Sequence, residues 1–324
     1  MEAVIRQPRR GRSVTLSAMG GPPPAFPEGK SISASAAAMA AHWENRFQAV
    51  LPLRPDLILM PEMADRYLET PCNRAEELRI AMPAAMNPMI ARIARKNACY
   101  IAHATAICAP DGCWRNGLRL VDRSGEEVAV YYKNFLVTSE IERGLLPGSA
   151  PAVHQCDFGR VGFAICFDLN FTELLDAYKT LKPDLLLFSS NYHGGLMQSY
   201  WAYQLRAYQL SALGQAPLRS SLRSPVGELL SASTNYFHHF TATANLDAAV
   251  VHLDFHWEKI RALQERFGRT VRVSDPGELG AVLITSEHET LSVHEMLEQF
   301  EIESLDGYLA HSRLCNAEAR PSPL

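Results

Sequence analysis

The chain has 324 residues, 47% of them hydrophobic and 20% charged, with a formal charge of −4, which is stock for one large globular domain or two modest ones. Its longest apolar stretches, such as Leu57–Met60 and Leu185–Phe188, fall far short of the about 20 residues that a membrane helix needs. The slightly acidic balance, with no sustained Lys/Arg stripe, argues against nucleic acid as a partner.

Arg6, Arg9, Arg10 and Arg12 crowd the first twelve residues, and no apolar core of a signal peptide follows them; residues 1–12 read as a flexible tail. Val14–Met19 then reads as a strand. Met39, Trp43, Phe47 and Val50 recur at helical spacing behind serines that serve as N-caps. Asp56–Met60 is a continuous apolar strand of the kind buried on both faces. Asn87-Pro88 is a cap-plus-first-position pair and predicts a helix that starts there, with Met89, Ile90 and Ile93 inward. Tyr100–Ile107 is a strand. Leu118–Asp122 and Glu127–Tyr132 flank Arg123-Ser124-Gly125-Glu126 and predict a β-hairpin.

Val161–Phe167 is another buried strand, followed by a helix over Thr172–Leu181, a strand over Asp184–Ser189 and a helix over Gln198–Leu213. Glu228–Ala232, Phe240–Asn245 and Ala249–Phe255 supply the last strands, and Trp257–Arg266 a helix. Two rounds of strand and helix joined by hairpins predict an α/β fold of two mixed sheets with helices outside, in one domain over residues 13–268. Residues 269–324 are less regular. They read as a C-terminal extension holding one amphipathic helix over Leu291–Ser312, and as a contact between subunits.

Three segments each place one reactive side chain at the end of an apolar strand: Leu57-Ile58-Leu59-Met60-Pro61-Glu62, Tyr131-Tyr132-Lys133, and Gly162-Phe163-Ala164-Ile165-Cys166. In α/β proteins ligands gather beyond the C-terminal ends of strands. Singly, each residue reads more simply as a loop acid, a surface lysine and a core thiol. It is the set of acid, cation and thiol, each in the same context, that points to nucleophilic chemistry. The other six cysteines repeat no zinc or disulfide spacing, and the odd total of seven fits a reducing cytoplasm.

The order Glu62, Lys133, Cys166 resembles the nitrilase superfamily of carbon–nitrogen hydrolases, whose three motifs stand here as Leu-Ile-Leu-Met-Pro-Glu62, Tyr-Tyr-Lys133-Asn-Phe-Leu and Gly-Phe-Ala-Ile-Cys166-Phe-Asp-Leu-Asn-Phe-Thr-Glu173-Leu. Asn116-Gly-Leu is similar to the turn before that family's central hairpin, and Ser224-Pro225-Val226-Gly227-Glu228 to its strand entry. The resemblance covers about Val14 to Phe267. It implies a four-layer αββα sandwich that assembles as a homodimer or larger homo-oligomer, and hydrolysis of a small amide or N-carbamoyl compound through a thioester, with no metal or organic cofactor. Cys166 is then the nucleophile and Glu62 the general base. Lys133 and the backbone N–H of Phe167 hold the oxyanion.

The family's second glutamate, which positions the lysine, is either Glu140 or Glu142. Counted against the family's Glu-Arg…Pro-Gly run, Glu142 is preferred. Asn191 and Tyr192 follow the next strand and read either as groups that touch substrate or as turn and cap residues. Cys166-Phe167-Asp168 resembles the amidase and carbamoylase branches rather than true nitrilases. Leu169-Asn170-Phe171 lacks the arginine with which some branches clamp a substrate carboxylate. Arg206-Ala207 is similar to the family's Arg-Ala on the later helix, where the resemblance implies a structural ion pair rather than substrate contact.

Other readings compete. His252, Asp254 and His256 alternate along a strand and would share one face, as metal ligands do. The same scaffold also supports nitrile hydrolysis, acyl transfer or a non-catalytic binding role.

Overall fold

A computed structural model describes residues 13–320 of the chain. Expected residues 1–12 lie outside the described residues, so the N-terminal tail is not addressed by the structure.

The first sheet is built from β1 (Ser13–Met19), β2 (Leu57–Leu59), β3 (Tyr100–Cys108), β4 (Trp114–Val121) and β5 (Glu127–Tyr132). Between them run α1 (Ile32–Phe47) and α2 (Cys72–Asn97). After the short α3 (Thr138–Glu142), a second round lays down β6 (Val153–Cys156), β7 (Gly159–Ile165), α4 (Thr172–Leu181), β8 (Leu185–Ser190), α5 (Leu196–Leu205) and β9 (Tyr208–Leu213). It closes with β10 (Ser221–Arg223) and β11 (Leu229–Ala232), and β12 (His239–Asn245) returns to the first sheet.

The strand orders are β12-β1-β2-β3-β4-β5 and β11-β10-β9-β8-β7-β6. Each sheet has a parallel centre (β1, β2, β3 and β7, β8, β9); antiparallel strands continue it through β4 and β5 in the first sheet, with β12 beside β1, and on both sides, through β6 and through β10 and β11, in the second. One apolar core, with Met39, Trp43, Phe47, Met86, Ile90 and Ile93, lies between α1, α2 and the first sheet. A second, with Leu174, Tyr178, Phe188 and Trp201, lies between α4, α5 and the second sheet. The sheets face each other: the Ser189 hydroxyl donates to the Met60 carbonyl at 2.8 Å, and the Tyr131 hydroxyl crosses to Asp168 at 2.7 Å. The predicted αββα layering is what the chain forms.

Three elements depart from the sequence reading. Asn87-Pro88 does not open a helix but sits inside α2, which also contains Pro83. Each proline removes one intrahelical bond. The helix continues because Leu78, Met82, Met86, Met89, Ile90 and Ile93 bury one continuous face while Pro88 stays on the exposed one. The expected helix over Gln198–Leu213 is α5 followed by β9. Arg206 takes a left-handed conformation at φ 54° that ends the helix, and the six residues of β9 are buried on both faces beside β8. A fully buried apolar run carries neither period clearly. The single helix expected over Leu291–Ser312 is two, α7 (Val293–Gln299) and α8 (Leu305–Ala319). Ser292 and Ser304 cap their N-termini, accepting from Glu295 N and Gly307 N.

From Asn245 onward the chain forms its own compact unit, distinct from residues 14–244. It contains β13 (Ala248–His252), α6 (Trp257–Phe267), β14 (Val271–Ser274), β15 (Ala281–Ser286), α7 and α8. The sheet order is β13-β15-β14, all antiparallel, and its core holds Val251, Leu263, Ile284, Val293 and Met296. β13 and α6, read from sequence with the domain ending at 268, therefore pack with the C-terminal segment.

Candidate active site

The site forms where strands of the two facing sheets end. β2 ends at Leu59, and Met60-Pro61 carries the chain on to Glu62. β5 ends at Tyr132, so Lys133 follows on the same inward face as the buried Tyr131. β7 ends at Ile165, and Cys166 begins a 3-10 turn over Cys166–Asn170 with φ +49°. That left-handed conformation is costly for a residue with a side chain and recurs at functional turns. Here it makes the chain turn sharply at the thiol.

Lys133 Nζ donates to Glu62 Oε1 at 2.9 Å and to Glu140 Oε2 at 2.7 Å, and Lys133 is 1% exposed. The Asn116 side-chain amide donates to Glu62 Oε1 and to Glu140 Oε1, both at 2.8 Å. Two carboxylates at one end of Asn116 require that end to be its NH2 group. Glu62 Oε2 accepts from the Asn191 backbone N–H at 2.9 Å, and Glu140 Oε2 accepts from Val137 N–H at 3.0 Å. The Cys166 thiol is within hydrogen-bonding reach of Glu62 and of the Ser190 hydroxyl.

Charges this deep are costly unless paired and saturated with hydrogen bonds. A unit pair at about 4 Å in an effective dielectric of about 20 recovers about 4 kcal/mol. Burial works against the Lys133 ammonium, but the charges of Glu62, Cys166 and Glu140 override it and hold its pKa above the usual lysine value. The Cys166 thiol is pushed up to about 12, first by burial and then by the Glu62 carboxylate, with Lys133 and Ser190 pulling the other way. At neutral pH the resting site therefore holds a thiol beside a base, and the proton leaves as the sulfur reacts.

Asp168 fixes the turn behind the nucleophile. Its Oδ2 accepts from Tyr131 OH at 2.7 Å and Ile165 N–H at 2.9 Å, and its Oδ1 from Phe135 N–H at 2.9 Å and Asn134 N–H at 3.1 Å. Burial raises its pKa to about 6 against the pull of these donors. Beside the turn, Phe135 stacks on Phe171 at 3.7 Å and Phe167 meets Phe171 edge-on at 5.3 Å.

The structure thus brings Glu62, Lys133 and Cys166 together, and it corrects the choice of second glutamate. Glu140, not Glu142, reaches Lys133, while Glu142 is exposed. Asn191 is present but occupied: its backbone N–H goes to Glu62 Oε2 and its side-chain amide to the Glu62 carbonyl at 3.3 Å. Tyr192 accepts from Asn170 Nδ2 at 3.2 Å, and Phe167 directly follows the nucleophile in the 3-10 turn.

In the second unit the His252, Asp254 and His256 alternation serves local structure. His256 Nε2 accepts from Glu303 N–H at 3.2 Å, which leaves Nδ1 to donate to the His252 carbonyl at 3.0 Å. The His252 ring stacks on Tyr308 at 4.0 Å. Among the described residues no three His, Cys, Asp or Glu side chains gather as a metal would require.

Sequence reasoning missed Asn116 and Asp168 as site residues. Asn116 shares the inward face of β4 with Leu118 and Leu120 and is fully buried. An amide in register with two core leucines is a signal that was available. Among the described residues its Oδ1 is buried without a hydrogen-bond partner. Asp168 gave no such signal, because three of its four donors come from β5 and the loop after it, 33 to 37 residues away.

A family model described as carbon-nitrogen hydrolase matches residues 17–213, well over half of the chain. The human (Homo sapiens) protein Omega-amidase NIT2 is 25% identical over 137 residues, which are 40% of this chain and 49% of that one. The chain thus spans about half the length of that curated relative. Among solved structures, an amidase from Nesterenkonia sp. superposes with a TM-score of 0.62 at 16% identity, covering 73% of this chain and 92% of its own. A cysteine-to-alanine mutant of the Nesterenkonia sp. AN1 amidase in complex with butyramide gives 0.62 at 17% identity, covering 79% and 98%. At such identities the structures speak for the fold, and the family match speaks for descent. With that match running from within β1 to the end of β9, the chain belongs to the carbon–nitrogen hydrolase family.

Proposed function

We propose that the protein hydrolyses the C–N bond of a small linear amide or N-carbamoyl compound, releasing ammonia and an acid through a Cys166 thioester. The observation that carries this reading is the buried, mutually hydrogen-bonded cluster of Glu62, Lys133 and Glu140 around the thiol. Glu62 takes the thiol proton as Sγ attacks the carbonyl carbon. The developing oxyanion is held by Lys133 Nζ and the Phe167 N–H, each such donor being worth a factor of about 100 to 1,000 in rate. Glu62 passes the proton to the departing nitrogen, then takes one from the water that cleaves the thioester. Glu140 keeps Lys133 charged and aimed. No step calls on a metal or an organic cofactor.

The relatives support the substrate class by name, since those with a printed activity are amidases and one is held with butyramide. All seven cysteines are free thiols, which supports a reducing cytoplasm as the setting. No helix of the described residues is long and apolar enough to cross a membrane. Assembly into a homodimer or larger oligomer, with the C-terminal segment as a subunit contact, completes the proposal.

The test is ammonia release from a panel of small amides, carbamoyl compounds and nitriles by wild type and Cys166→Ala side by side. Release by wild type alone, fastest from amides or carbamoyl compounds, is the expected result. Equal release by both proteins overturns the cysteine mechanism, and a preference for nitriles overturns the substrate class.

A further inference from the structure

The two glutamates of the site raise a question that the ion pairs alone do not answer. Glu62 and Glu140 are both buried and both touch the same ammonium, so one positive charge faces two negative ones. One ammonium, with three N–H donors, faces four carboxylate oxygens. A further donor that reaches both carboxylates at once is what fixes them relative to each other.

The geometry points to Asn116 as that group. We propose that its side-chain NH2 is a neutral clamp that spans Glu62 and Glu140 and keeps Glu62 aimed at Cys166. The proposal rests on the reading of Glu62 as the base for Cys166. The two N–H bonds of one Nδ2 supply one donor to each carboxylate, at 2.8 Å and 2.8 Å. Glu62 Oε1 then accepts from both Lys133 and Asn116, while Oε2 accepts from the Asn191 N–H. Oε2 is left as the oxygen with an open lone pair, which makes it the basic atom.

Asn116 is also held where it must be. Its backbone carbonyl accepts from the Lys133 N–H at 2.8 Å, so clamp and cation are registered against each other through the main chain. Its Oδ1, buried and without a partner among the described residues, makes no structural hydrogen bond there. A residue chosen for packing at that position would have no polar atom to orphan. Asn116 touches no reacting atom in this arrangement and is a positioning residue.

The test needs no knowledge of the substrate. Alkylation of Cys166 by iodoacetamide, followed across pH by peptide-resolved mass spectrometry, reads the Glu62–Cys166 pair directly. Wild type is compared with Asn116→Ala, Asn116→Asp, Glu62→Gln and Asn116→Ala/Glu62→Gln, with thermal melts on each. The expected result is a roughly tenfold or larger slowing in Asn116→Ala at neutral pH. The acidic limb of its pH profile should move upward, because a donor to the Glu62 carboxylate has been lost. Asn116→Asp, which sets a third carboxylate between the two, should move it further.

In the Glu62→Gln background the Asn116 substitution should add little, since both act through one proton acceptor. An unshifted acidic limb in a folded Asn116→Ala overturns the proposal, and so does an undiminished effect without Glu62. A folded Glu62→Gln that alkylates at the wild-type rate and pH profile would instead strike at the underlying base assignment. Absence of ammonia release by wild type strikes at the amidase reading alone.

Discussion

Glu140 and Glu142 are two positions apart on α3, about 200° around a helix of 3.6 residues per turn. They therefore point to opposite sides, and only one can face Lys133. Counting residues to a downstream glycine could not separate them, because the helix was not visible in five residues of sequence. Substituting Glu140→Gln keeps the shape of the side chain and removes its charge. Turnover of the best amide should fall at least tenfold, short of the about 100- to 1,000-fold that follows loss of an oxyanion donor itself. Glu142→Gln, on the exposed face, should change turnover less than about twofold. A larger effect at Glu142 would reverse the assignment. The three strand-end residues were legible from sequence for the opposite reason: each follows an apolar run whose end is itself the signal. Asn116 was legible only in principle, as a polar side chain on the buried face of β4, and was passed over as part of a turn.

At the scale of elements, the sheets were readable where strands alternate or close a hairpin, as in β4 and β5. They were not where a buried run has no polar face, as in β9, or where strands are as short as β6 and β10. The turn after β7 is a case that only tertiary structure explains. Asp168 accepts from four donors, three of which, from Tyr131, Asn134 and Phe135, tie the nucleophile's turn to β5 and the loop after it, while the fourth is Ile165 N–H at the end of β7; its pKa of about 6 stands above the ordinary carboxyl value of 3.8. Between those two values the folded protein holds a proton that the unfolded chain has released. The Asp168 contribution to stability is therefore fully present below about pH 4 and is lost as pH rises through about 6, at up to about 1.4 kcal/mol per pH unit. Asp168→Asn cannot titrate. The stability of wild type relative to this variant, from denaturant melts at pH 4 to 7, should fall with rising pH across that window and level off above it. A flat difference would show that the four donors outweigh burial and that the carboxyl titrates near its ordinary value.

At the scale of the whole molecule, the chain divides at Asn245 into units with separate cores, which bears on the proposed role of the C-terminal segment in assembly. A deletion of Leu291–Leu324 would be an ambiguous test. It removes Val293, Met296 and Leu297, which are buried in the core of the second unit, and large buried side chains are worth about 2–5 kcal/mol each. Such a deletion exposes a core as well as removing a contact. A chain ending after Ala310 is a cleaner one. It keeps Leu305, the one buried residue of α8, and Tyr308, whose ring stacks on His252 and whose hydroxyl donates to Asp254 at 3.0 Å. It removes the turns of α8 that carry Leu314, 64% exposed. If this stretch is the subunit contact, light scattering should show the mass falling from an oligomer to a monomer, while the melting temperature of the monomer and the alkylation rate of Cys166 stay near those of the full chain. An unchanged mass would move the subunit contact away from the end of α8. A fallen mass accompanied by slower alkylation would mean that assembly also supports the site, although every side chain of the Glu62, Asn116, Lys133, Glu140 and Cys166 cluster comes from one chain.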